Sequence, residues 1–245
     1  MSVRGAPAVC AALVLAILAG LAPTGARSQT LADLANASRA APTGLFGSTE
    51  IRSESLQGLP QWTRVLSIVR QDRAGFADCS RDAARCTTPT LRQWRQIITK
   101  AAGLDRKAQL KAVNDFFNRW PYKQDWELYG RREYWATPSE FMARSGDCED
   151  YAIAKYFALR QLGWSKEDMR IVILMDRIRA IGHAVLAVYM DDRTLILDSL
   201  SNLILPHDRY KHYLPQYSMN ETTRWAHIGG YRQQSQPVYR GLAAR

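Results

Sequence analysis

The periodicity of the apolar side chains changes once, and sharply, just after Gly163. Upstream, CEDYAIAKYFALRQLGW sets Ala, Ile, Tyr, Phe and Leu on one face at spacings of three and four. That spacing predicts a buried helix over 148–162, stopped by Gly163. Downstream, RIVILMD, HAVLAVYM and TLILDSL have strand periodicity, and Asp191, Asp192 and Arg193 mark a tight turn between the second and third. The three runs are therefore expected to be antiparallel neighbours. Helices followed by consecutive strands make the fold class α+β.

Ahead of this block, WTRVLSIVR, LRQWRQIITKAAGL and RKAQLKAVNDFFNRW carry helical spacing and predict three packed helices. Trp62, Trp94, Phe116, Phe117 and Trp120 are assigned to the core, although they could line a groove. PYKQDWELYGRREYWATPSEFMARSGD is aromatic and broken by Pro and Gly, so it reads as a loop packed against the body, the kind of segment that walls a site. The segment from Asn202 to Gln234 has scattered aromatics and prolines and is expected to wrap the sheet without regular structure. Residues 29–45 read as a flexible lead-in, 46–232 as one domain and 233–245 as a disordered tail.

Residues 1–28 have the form of a secretory signal: Arg4, an apolar run from Ala8 to Ala22, then small residues near Ala26. The run is shorter than the ~20 residues a spanning helix needs, and Pro23 and Gly25 break it. The expected product is exported and not membrane-spanning when mature, and in a double-membraned bacterium it is periplasmic. The formal charge of +10 drops to +8 without Arg4 and Arg27, and the cations are scattered. No nucleic-acid partner is expected of an exported chain without a binding motif. Cys10 leaves with the signal, so Cys79, Cys86 and Cys148 remain. In an oxidising compartment Cys79 and Cys86 can close a small disulfide loop, leaving Cys148 as an unpaired thiol.

Cys148 stands at a helix start, where free backbone N–H groups and the macrodipole favour a thiolate. A cysteine nucleophile needs a base and a group that orients the base. Of the four histidines, His183 opens an apolar strand. In an antiparallel hairpin with an even loop, partner numbers sum to an odd constant. His183 and Asp198 therefore share a face, and a three-residue loop would separate them. An Nδ1–H to carboxylate bond is the expected contact. Asp147, Glu149 and Asp150 put three carboxylates beside the thiol. They could suit calcium, but on the residues alone a helix N-terminus with no metal is the stronger reading. The Cys148 N–H is the first candidate oxyanion donor and the indole N–H of Trp135 the second, unless Trp135 is simply packed in the loop.

The order of Cys on a helix, then His and Asp on successive strands, is that of the transglutaminase-like and papain-like cysteine protease fold. GDCEDYAIAKYFALRQLG, GHAVLAV and LILDSL, preceded by YWATPSEF, resemble the bacterial transglutaminase-like cysteine proteinases of the LapG type, from about Phe46 to Trp225. The resemblance implies a periplasmic, calcium-dependent cysteine endopeptidase with Cys148, His183 and Asp198 as its triad and acidic residues flanking the cysteine as calcium ligands. It further implies cleavage near the N-terminus of a large surface adhesin of the LapA type, promoting biofilm dispersal. Sequestration by an inner-membrane cyclic-di-GMP receptor of the LapD type is the implied regulation. YGRREYW departs from the pattern with two arginines and a glutamate, which bears on substrate or partner specificity. The rival readings are an acyl-transferring enzyme, an inactive binding module of the same fold and a cell-wall hydrolase.

Overall fold

The computed structural model describes residues 44–230, all within one compact unit. The expected signal segment, most of the lead-in and the expected tail lie outside the described residues. Six α-helices and seven strands follow in chain order. The first helix, α1 (Pro60–Arg81), is longer than its apolar pattern indicated, continuing through a polar stretch to Cys79. Next come α2 (Pro89–Ala102) and α3 (Arg106–Phe117). Thr88 and Asp105 cap them, accepting from the N–H groups of Leu91 and Ala108. Cys79 and Cys86 form a disulfide that ties the end of α1 to the turn before α2. Trp62, Trp94, Phe116 and Phe117 are buried among these helices, and Trp120 packs partly buried against them.

The segment expected to be irregular contains two short helices, α4 (Asp125–Tyr129) and α5 (Pro138–Arg144). Capping chemistry explains the second. Thr137 accepts from the Glu140 N–H, Glu140 reaches back to the Thr137 N–H, and Pro138 fills the first helical position. The next helix, α6 (Cys148–Gln161), is buried from Glu149 to Leu159, as a helix apolar on nearly every side must be. It lies against α3 and against the middle of the sheet.

The sheet is antiparallel throughout, with order β1-β7-β6-β2-β3-β4-β5. Its expected strands are β2 (Met169–Asp176), β3 (Ile181–Met190) and β4 (Arg193–Asp198). The other four differ from expectation. The lead-in side supplies β1 (Thr49–Ser53), and the supposedly irregular C-terminal segment supplies β5 (Ser201–Pro206), β6 (Tyr213–Met219) and β7 (Arg224–Ile228). Pro215 hid β6. It pairs with Leu174 where the register slips by one residue, a bulge at which a missing N–H costs no ladder bond. One face of the sheet packs on the helices. The other carries a smaller apolar cluster of Val172, Leu174, Val185, Ala187, Ile196 and Tyr213, closed by Leu45 and Phe46.

Candidate active site

The loop between β3 and β4 holds two residues, since Met190 pairs with Arg193 and Leu186 with Leu197. Continued by one step, this register sets Asp198 opposite Val185, a diagonal step from His183 on the same face. His183 Nε2 lies 2.9 Å from Asp198 Oδ1, and both side chains are buried. The bond uses Nε2, not the expected Nδ1: a diagonal partner is farther than an opposite one, and the distal ring nitrogen spans the gap. Tyr213 donates its hydroxyl to Asp198 Oδ2 at 2.6 Å, and the Leu200 N–H donates to Oδ1 at 3.0 Å. Burial works against the Asp198 carboxylate, but His183, Tyr213 and Leu200 together hold it below the usual range.

Cys148 is the first residue of α6 and the free cysteine among the described residues. The helix that Cys148 opens packs against β3, and the N–H of Ala184, the residue after His183, acts to lower the thiol. Tyr122, about half exposed and stacked on Tyr151, stands beside it, and burial and then the neighbouring thiol and acids raise its hydroxyl above the ordinary value. Glu149 Oε2 lies 3.3 Å from the sulfur. The helix start does not dominate the ionisation as expected. Burial, then the charges of Glu149 and Asp147, push the thiol well above its ordinary value.

The three acids near Cys148 are not equivalent. Asp150 is fully buried and completes a capping box with Asp147, the N-cap of α6: its Oδ2 accepts from the Asp147 N–H at 3.2 Å, while its Oδ1 accepts from the Ala136 N–H at 2.6 Å. Ser145, just before, has φ 72° and ψ −166°, a region nearly reserved for glycine, so the chain enters the helix under strain. Asp147 and Glu149 border the thiol, and Asp125 of α4, which the sequence gave no reason to single out, joins Asp147 and Asp150 within 4.8 Å. Burial first, then neighbouring acids, push Asp147 up to about 9, and burial pushes Glu149 to about 7. Asp125 is pushed to about 6 by burial and then by Asp147. Asp147 Oδ1 and Asp125 Oδ1 are buried without a protein hydrogen bond. Converging buried oxygens that repel one another and lack donors fit a hard divalent cation.

Trp135 does not present its indole N–H to the thiol. It is buried and donates to Glu133 Oε1 at 3.1 Å, so the glutamate that breaks the family pattern takes up this donor. Neither Tyr213 nor Tyr122 had a sequence signal, since both stand in segments without clean periodicity.

Residues 68–233 match the family model described as bacterial transglutaminase-like cysteine proteinase. The chain belongs to that family. Among solved structures it is similar to Legionella pneumophila LapG, at 32% identity and a TM-score of 0.54, over 62% of this chain and 87% of that one. It is likewise similar to the calcium-bound form of that protein, at 31% identity and 0.54 over 63% and 91%, and to an EGTA-treated form at 32% and 0.55. The comparison with curated proteins returns no match. Among the described residues no helix is long and apolar enough to cross a membrane.

Proposed function

We propose that this protein is an exported, calcium-dependent cysteine endopeptidase whose triad is Cys148, His183 and Asp198. The observation that carries the triad is the buried His183–Asp198 bond on the strand pair whose β3 packs against the helix that Cys148 opens. Cys148 attacks a peptide carbonyl as the thiolate, His183 returns the proton to the leaving amine, and water activated by His183 hydrolyses the thioester. Asp198 holds the ring through Nε2, which directs the Nδ1 edge to the proton transfers. The Cys148 N–H is the first donor to the oxyanion.

Asp147 and Asp150, expected from the sequence, together with Asp125 and with Glu149 at the edge, are the residues that would hold calcium. The ion would supply positive charge among these acids and fix the start of α6. The resemblance to a protein solved in calcium-bound form supports this reading. The same family kinship supports a periplasmic location, a large surface adhesin cut near its N-terminus, a role in biofilm dispersal and sequestration by a cyclic-di-GMP receptor. The test incubates the mature chain and Cys148→Ala with the N-terminal part of an adhesin from the same genome, with and without a chelator. Cleavage that needs Cys148 and calcium, and that proceeds whether or not a primary amine is present, is expected. Cleavage by the variant, or none by either protein in calcium, overturns the proposal.

A further inference from the structure

Leu45 and Phe46 are buried, and they stand ahead of residues 68–233, the part of the chain that the family model matches. They belong to the tight turn Leu45–Gly47. The Leu45 N–H donates to Glu50 Oε1 and the Phe46 N–H to His207 Nδ1, each at 2.9 Å, and the Ser48 hydroxyl closes the turn on the Leu45 carbonyl at 2.8 Å. Phe46 has φ 52° and ψ 32°, a left-handed conformation that is costly for a bulky residue and persists only where the surroundings over-determine it. The place of its ring is therefore tightly specified.

That place is on the sheet face that carries the His183–Asp198 bond. His183 alternates with Val185 on β3, and Asp198 with Ile196 on β4, and Val185 and Ile196 belong to the apolar cluster that Leu45 and Phe46 close. The Phe46 ring meets the Tyr213 ring edge-on, with centroids 5.8 Å apart, and Tyr210 stacks on Tyr213 at 5.1 Å. Tyr213, itself buried, donates its hydroxyl to Asp198 Oδ2 at 2.6 Å, and Asp198 Oδ1 lies 2.9 Å from His183 Nε2. An unbroken run of contacts thus joins the N-terminal turn to the base. A phenol delivers its proton to one fixed spot only while its ring is held, and Phe46 and Tyr210 do the holding. Resting on the triad assigned above, we propose that Phe46 is a positioning residue of the active site, a wedge that seats Tyr213 against Asp198 and so fixes the ring of His183. The turn is then part of the catalytic apparatus as well as a cover for the sheet. The Leu200 N–H still donates to Asp198 Oδ1, so removing the wedge loosens the carboxylate without releasing it.

The test is Phe46→Leu, with Phe46→Met in its place if the first variant does not fold, alone and combined with Tyr213→Phe in the full mature chain. Two measurements are made. One is kcat and KM for cleavage, with Tm alongside. The other is the rate at which the His183 Nε2 proton exchanges with solvent, read by NMR and assigned by its loss in His183→Asn. Phe46→Leu is expected to lower kcat about tenfold with KM within about twofold, and to speed the exchange about tenfold. Tyr213→Phe should do the same, and the double variant should be no worse than Tyr213→Phe alone, because both changes act through one hydrogen bond. Either quantity unchanged in Phe46→Leu overturns the proposal. So do losses that multiply in the double variant, as independent damage to the fold would, or a loss of activity that merely follows a fall in Tm. The exchange measurement needs no turnover, so if the wild type cleaves nothing the endopeptidase reading fails while the hold of Phe46 on His183 is still decided.

Discussion

His183 and Asp198 are joined by one buried bond through Nε2, with Tyr213 closing the far oxygen of the carboxylate. The carboxylate orients the ring and fixes its tautomer. An amide in its place keeps the shape but can turn its NH2 toward the ring and select the wrong tautomer. Asp198→Asn is expected to lower kcat by about 10²- to 10⁴-fold with little change in KM. The check is steady-state cleavage, with circular dichroism to establish that the fold persists. Activity within about threefold of wild type would remove Asp198 from the triad.

Gly146 has a different job, leaving room for the cap of α6. A Cβ built there would meet Asp150 Oδ2 at 2.0 Å and Asp150 Cβ at 2.7 Å, and this carboxylate is committed to two backbone N–H groups. Gly146→Ala must displace the cap or the helix start. A loss of about 2–4 kcal/mol in urea unfolding is expected, by burying unsatisfied N–H groups and straining the turn. An unchanged midpoint would show that Asp150 is not needed where the structure has it.

How much of this was legible beforehand follows from where each signal lies. The helix at 148–162 and the β3–β4 pairing were readable because each is written locally, in an apolar period and in the parity of a two-residue loop. β6 and β7 were not, because Pro215 and the polar residues between short apolar runs erase strand periodicity, and long-range pairing restores the strands. The site divides the same way. Cys148, His183 and Asp198 stand in regular elements. Asp125 enters only because the chain from Tyr122 to Lys123 runs beside Gly146 and carries α4 toward the start of α6. The ionisation of Cys148 is not legible in the sequence, because a helix-end effect of about 1 kcal/mol is local while the burial and the two acids that oppose it come from the folded surroundings.

If Asp147 and Asp125 hold a divalent cation, adding calcium stabilises the folded chain by mass action, about 2.7 kcal/mol at a hundred times Kd. A rise in Tm with calcium is therefore expected for the wild type and reversed by a chelator. Asp147→Asn should abolish the rise and Asp125→Asn should shrink it. Both variants should be at least as stable as the wild type without metal, since each removes one member of a repelling group. Scanning calorimetry over a calcium series measures this, and an equal calcium response in wild type and both variants would move the ion elsewhere.

The last prediction concerns the sheet edge far from the thiol. His227 lies buried between the Ser48 hydroxyl at 2.7 Å and the Ser218 hydroxyl at 2.8 Å, and burial lowers it to about 4 despite the pull of Glu50. The unfolded chain takes up this proton near 6.5 and the folded one only near 4. Stability from His227 is thus complete above pH 6.5 and lost as pH falls toward 4, by at most about 3 kcal/mol. The raised acids around Cys148 slope the other way in part of this window, so wild type alone cannot display the effect. The difference between wild type and His227→Gln isolates it, because the acids are common to both. Urea unfolding at intervals from pH 7.5 to 4 should show the wild type losing stability relative to the variant on acidification. A difference that stays constant with pH would mean that His227 is protonated inside the fold.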